Sequence, residues 1–173
     1  MSYVPSHASA VNLAKPDALV FIPASESTSN AATVGNLMPL GTASTKFGTW
    51  SPTITSDVIT LPSGYYYHVE SSHQIAHPSS FSYNYNLEWS VYDETNTQNI
   101  GIPALMYATV GGDTNNVTRD DAAHALIDCT SSGIDISIKI TANNGIQYVN
   151  YWPYSGHAPY FGLGRVIIWR LNP

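Results

Sequence analysis

Isoleucine stands at every second position of Ile134-Asp135-Ile136-Ser137-Ile138-Lys139-Ile140, with polar residues between. A period of two puts the four isoleucines on one face of an extended strand and only polar groups on the other. A helix would scatter the same residues around its circumference. From Gly48 onward the pattern repeats in short segments divided by turn residues. Residues 58–61 end at Pro62-Ser63-Gly64, and 65–71 follow. Residues 86–93 keep Leu87, Trp89 and Val91 on one face before turning at Glu94-Thr95-Asn96. Residues 104–110 stop at Gly111-Gly112, and 121–129 alternate again. Asn143-Asn144-Gly145 turns the chain into 146–152, and 165–171 make the last strand.

Eight or more antiparallel strands in about 125 residues predict an all-β fold. The architecture expected over residues 49–173 is a two-sheet antiparallel jelly-roll sandwich. Residues 1–48 read differently. Pro5, Pro16, Pro23 and Pro39 punctuate them, which excludes long helices and favours extended or turn conformations. Only Ala18-Leu19-Val20-Phe21-Ile22 is apolar enough for a strand. We therefore expect an extended Pro-rich N-terminal arm over 1–48, lying against its own domain or a neighbour. Tyr3, Val4, Leu19, Val20, Phe21 and Ile22 give it more apolar content than a spacer needs. These residues are the expected anchor to a larger assembly.

Composition narrows the partners. Charged residues make up 10% of the 173, against roughly 25% in an average soluble domain. Six Lys+Arg face twelve Asp+Glu, for a formal net charge of −6. Lys15, Lys46, Lys139, Arg119, Arg165 and Arg170 are too few for a broad phosphate-neutralising face, so nucleic acid is not an expected partner. Hydrophobic residues at 43% and aromatics at 12% suffice for a packed core. No run reaches the roughly eighteen apolar residues of a membrane span. Met-Ser-Tyr-Val-Pro-Ser-His has neither the basic nor the apolar region of a secretory signal, so neither membrane nor export is expected. Cys129 is the only cysteine, which excludes an intrachain disulfide, and its apolar setting predicts an inert buried thiol.

Several segments resemble a known family. Ile59-Thr60-Leu61-Pro62-Ser63-Gly64-Tyr65-Tyr66-Tyr67-His68-Val69 resembles the early strand of complement-type globular heads and tumour necrosis factor-like jelly rolls. Leu87-Glu88-Trp89-Ser90-Val91-Tyr92-Asp93 is similar to the family's strand that ends in a polar hairpin. Cys129-Thr130-Ser131-Ser132-Gly133-Ile134-Asp135-Ile136-Ser137-Ile138 resembles its small loop, glycine and alternating strand. Tyr160-Phe161-Gly162-Leu163-Gly164-Arg165-Val166-Ile167-Ile168-Trp169 is similar to its closing strand. The resemblance covers about residues 50–173 and implies a homotrimer. The same fold type occurs in trimeric bacteriophage proteins, both head decoration proteins and fibre tips. With no export signal and no stalk, the chain looks more like that branch than like extracellular signalling proteins.

Chemistry-bearing residues do not form a recognisable set. His68, His73 and His77 lie within ten residues, but strand positions four apart are about 13 Å from each other, too far to share an ion. Asp113, Asp120 and Asp121 flank a flexible loop without EF-hand spacing. No Gly-x-Ser-x-Gly elbow singles out a serine, and the pairs Glu88/Asp93 and Asp120/Asp121 sit at strand edges or turns. No enzyme activity, metal or cofactor is expected.

The rings of Tyr148, Tyr151, Trp152, Tyr154, Tyr160 and Phe161 crowd a loop around Pro153 and Pro159. They read as subunit interface or as a ligand loop that stacks on sugar faces. Tyr66 points opposite to Tyr65 and Tyr67 and joins the same group. The expected function is a structural virion protein: a trimeric bacteriophage capsid decoration protein docking on the major capsid protein, present in the host cytoplasm before assembly. The alternative is the receptor- or glycan-binding tip of a phage fibre.

Overall fold

The computed structural model describes residues 17–22, 32–40, 42–73, 75–76, 84–109, 122–146, 148–149 and 164–172. Every regular element among them is a strand. In chain order these are β1 (Asp17–Ile22), β2 (Thr42–Phe47), β3 (Thr53–Thr55), β4 (Val58–Leu61), β5 (Tyr66–His73) and β6 (Ile75–Ala76). There follow β7 (Asn84–Asp93), β8 (Gln98–Thr109), β9 (Ala123–Asp128), β10 (Ile134–Asn144), β11 (Tyr148–Val149) and β12 (Gly164–Leu171). Ten of them form one antiparallel sheet in the order β2-β1-β12-β5-β9-β8-β7-β10-β4-β3, and β11 pairs with β6 apart from it.

The alternation read from the sequence becomes burial. Ile136, Ile138 and Ile140 of β10 and Leu87, Trp89 and Val91 of β7 all face inward and are buried. Leu19, Phe21, Tyr67, Val69, Val166 and Ile168, from β1, β5 and β12, join them in one continuous core. The sheet therefore curls until its two ends share an interior. Asn143 and Asn144, expected in a turn, instead extend β10 through pairing with Leu87 and Asn86; Asn143 then bonds both backbone groups of Ile146, at 2.9 Å from Ile146 N and 2.8 Å to Ile146 O.

β8 meets β9 through the single register pair Ile102↔His124. Gly101 sits beside it with φ +78°, and a Cβ there would lie 2.0 Å from His124 O. Only glycine permits both that backbone conformation and that approach.

The described part of residues 1–48 lies against its own domain, one of the two expected placements, and does so as strands of the same sheet. β1 pairs with β12 along five register positions and with β2 on its other side. Residues 35–40 run beside β10 in the opposite half of the sheet. Met38 N donates to Ile138 O at 2.7 Å, and Ile140 N donates to Asn36 O at 3.0 Å. Met38 and Leu40 are wholly buried, and burial of each contributes about 1.5–3 kcal/mol. Leu19 and Phe21, expected as anchor residues, are likewise taken up by the core, because β1 is an interior strand with neighbours on both edges. Val20 points the other way and is half-buried, Ile22 ends β1, and Tyr3 and Val4 lie outside the described residues. β2 went unforeseen because Thr42-Ala43-Ser44-Thr45-Lys46-Phe47 carries no apolar alternation.

Candidate interaction face

The outward side of β2, β1, β12, β5 and β9 carries the least ordinary surface among the described residues. Antiparallel register brings Phe47, Ala18, Trp169, His68 and Leu126 into one cross-strand row. The next row holds Val20, Ile167, Glu70, His124 and Ile102. Leu171, Tyr66 and Asp128 make a third. Directly paired residues share a face, so each row is a contiguous strip. Leu126 is 72% exposed, Ile102 68%, Phe47 59% and Tyr66 36%. Scattered apolar residues on a surface are ordinary, but a contiguous apolar strip across five strands marks a contact site.

Rings order the middle of this face. Trp169 stacks on His68 with centroids 4.9 Å apart and planes at 16°. His68 stacks in turn on His124 at 5.8 Å and 7°. A three-ring ladder thus spans β12, β5 and β9. The charges nearby are few and largely neutralised. Arg165 donates to Glu70 at 3.2 Å, and the Asp128 carboxylate accepts from Thr130 N at 2.9 Å and Thr130 Oγ1 at 2.6 Å. Those two bonds, the hydroxyl's first, hold the Asp128 carboxyl below its usual range.

The outward side of β10 and β7 is the opposite in character. Lys139 Nζ lies 3.4 Å from the centre of the Tyr92 ring and 3.1 Å from Glu94. Ser137 Oγ donates to Glu94 at 2.6 Å, Thr60 Oγ1 to Asp135 at 2.7 Å and Thr141 Oγ1 to Glu88 at 2.6 Å. The Ser137 bond, then Lys139, pulls the Glu94 carboxyl below the ordinary glutamate range against its partial burial. These groups satisfy one another and suit solvent.

The side chains weighed for chemistry are dispersed. His68 and His73 are five apart on β5 and point to opposite faces, which separates the pair by the thickness of the sheet. His73 is buried, its Nε2 2.7 Å from Ser71 Oγ and its ring edge-on to Trp89. Asp93 accepts from Asn96 N at 2.9 Å and Asn96 Nδ2 at 2.8 Å, closing the turn after β7. Among the described residues no three of His, Cys, Asp and Glu are placed to hold a metal ion. His77, Asp113, Asp120 and Asp121 lie outside the described residues, as do Tyr151, Trp152, Tyr154, Tyr160 and Phe161; of that ring group only the Tyr148 backbone, in β11, is described. The Cys129 thiol is buried and pushed up by that burial, as expected of an inert thiol.

Of the residues singled out from the sequence, the face contains Tyr66, Val20 and His68. Phe47, Ile102, Leu126, Ile167 and Trp169 were not singled out. Their signal was present in Val166-Ile167-Ile168-Trp169, which is apolar at every position rather than at alternate ones. A strand covered on one side only has no use for that. No known family model matches the chain, and no curated protein is similar to it.

Proposed function

We propose that the chain is a structural assembly protein, a jelly roll that associates with copies of itself through the outward face of β2, β1, β12, β5 and β9. The jelly-roll reading divides the curled sheet at the Ile102↔His124 pair into two five-stranded sheets packed face to face. The observation that carries the function is the set of exposed Phe47, Leu126, Ile102 and Tyr66 on one face with the half-buried Trp169.

A second copy fits this face for two reasons. Copies of a chain with net charge −6 repel one another, yet the described charges of this face, Glu70, Arg165 and Asp128, sum to −1. Five strands of six to eight residues span roughly 24 by 23 Å, a footprint near 550 Å². A standard interface takes about 800 Å² from each partner, so the face is close to the size needed. The family resemblance makes the assembly a homotrimer. With the apolar faces turned inward, the polar side of β10 and β7 is left to solvent.

The biological role we propose for the trimer is decoration of a bacteriophage capsid by docking on the major capsid protein. The low charge content supports attachment by apolar burial and backbone bonding, which salt does not screen. Light scattering coupled to gel filtration tests the assembly, and a stable monomer at micromolar concentration overturns it. Occupancy on undecorated shells, imaged at low and high salt, tests the docking; absence of binding at either salt overturns it.

A further inference from the structure

We propose that the Trp169–His68–His124 ladder makes self-association depend on pH, so that the copies part when both imidazoles are charged. The inference rests on the reading of this face as the self-association surface. Histidine is the side chain that ordinarily changes charge between about pH 5 and pH 8. Two of them lie within this face, on β5 and β9, with near-parallel rings 5.8 Å apart. Burying that face against another copy removes water from both rings. A neutral pair tolerates the transfer, whereas a charged pair loses its hydration and meets like-charge repulsion in a medium of low dielectric. The separated form therefore binds more protons than the assembled one. Association must weaken as pH falls.

The two histidines are not equivalent. His68 lies over the Trp169 indole at 4.9 Å, where a charged imidazole gains a cation–π contact. His124 has His68 on its ring face instead, so charge on both rings sets two cations side by side. The surrounding groups do not cancel this. Glu70 is the cross-strand neighbour of His124, but Arg165 already occupies its carboxylate at 3.2 Å. Asp128 is held by Thr130. Arg170 and Asp17 pair with each other on the inward side, beneath Tyr65 and Trp50. On β8, Ile102 pairs with His124, and on β7 Glu88 and Asp93 are engaged by Thr141 and Asn96.

The experiment is sedimentation equilibrium of the full chain at about pH 8 and about pH 5.5, with circular dichroism confirming the fold at both. The association constant of the unaltered protein is expected to fall at least about tenfold at the lower pH. In H124Q the ratio between the two pH values should stay within about twofold, whatever its absolute affinity. Calorimetry of the unaltered protein near pH 6 should show net proton release on association, and needs no variant. Association that is equally strong at both pH values overturns this inference and leaves self-association standing. So does an H124Q that keeps the full pH ratio, or the absence of proton release. A monomer at pH 8 overturns self-association and the switch together.

Discussion

The indole N–H of Trp89 on β7 donates to the carbonyl oxygen of Ser71 on β5 at 3.1 Å, with both residues buried. β7 and β5 are not neighbours in the sheet, so this bond reaches through the interior from one half of the curled sheet to the other. Trp89→Phe removes the donor and leaves a void in a fully packed position. The expected loss is about 2–4 kcal/mol of stability, seen as a lower urea midpoint with an unchanged slope. An unchanged midpoint would show that the two halves of the sheet do not depend on this contact.

Gly101 and Gly64 form a matched pair for testing the β8–β9 corner. Both have positive φ, +78° and +92°, but a Cβ meets His124 O at 2.0 Å at Gly101 and nothing within 4 Å at Gly64. Gly64→Ala should cost only the backbone strain, about 1 kcal/mol. Gly101→Ala adds a clash against backbone and should cost clearly more in thermal unfolding. Equal losses for the two variants would mean that β9 can back away from β8.

Leu126 separates folding from assembly. It is 72% exposed on an outward position of β9, so Leu126→Glu should change the stability of the single chain by no more than about 0.5 kcal/mol. The same change puts a charge at the β9 end of the apolar row, beside His68. Light scattering should then report the monomer mass at concentrations where the unaltered protein is assembled. Retained assembly would move the interface elsewhere.

Glu94 sets part of the acid response. Its carboxyl is held below the ordinary value of 4.5, first by Ser137 and then by Lys139. A carboxylate so lowered supports the folded state above its unfolded pKa and loses that support as pH falls through the folded one. For this partly exposed group the contribution is under about 1 kcal/mol. Glu94→Gln should reduce stability at neutral pH and make the decline below pH 4.5 shallower. Parallel acid-unfolding curves for the two proteins would contradict it.

Tyr67 governs the alkaline limb. Burial first, and Cys129 second, push its phenol up to about 12, and its hydroxyl donates to Pro62 O at 3.0 Å. A raised phenol favours the folded state up to its ordinary value of 10.0, and that support is lost as pH rises toward about 12. Tyr67→Phe should therefore flatten the fall in stability above pH 10.0, measured by urea unfolding across that range.

Strand identity was the most legible property of this chain, because alternation is a local signal. Residues 58–61 are β4 as read, and the isoleucines at 136, 138 and 140 are buried as their spacing requires. β3 and β2 were not legible. The first has three residues, and the second carries no apolar period, since an edge strand needs its neighbour more than its own pattern. The candidate face was half legible: Tyr66 stood out by its position between Tyr65 and Tyr67, whereas Leu126 did not.

Alternation tells which side chains share a face, and that is why the all-β class and the inward residues of β7 and β10 follow from the amino-acid order. It does not tell which strand lies beside which. Leu19 and Phe21 read equally well as an anchor for another protein and as core. Their fate was set by β1 finding β12 some 150 residues away, through the Asp17↔Arg170 to Phe21↔Val166 register. The ladder of Trp169, His68 and His124 depends on the same pairing. Its three rings come from three distant stretches, and only cross-strand register brings them within stacking distance. Local period is written residue by residue, but register is decided by which distant edges bury the most apolar surface together.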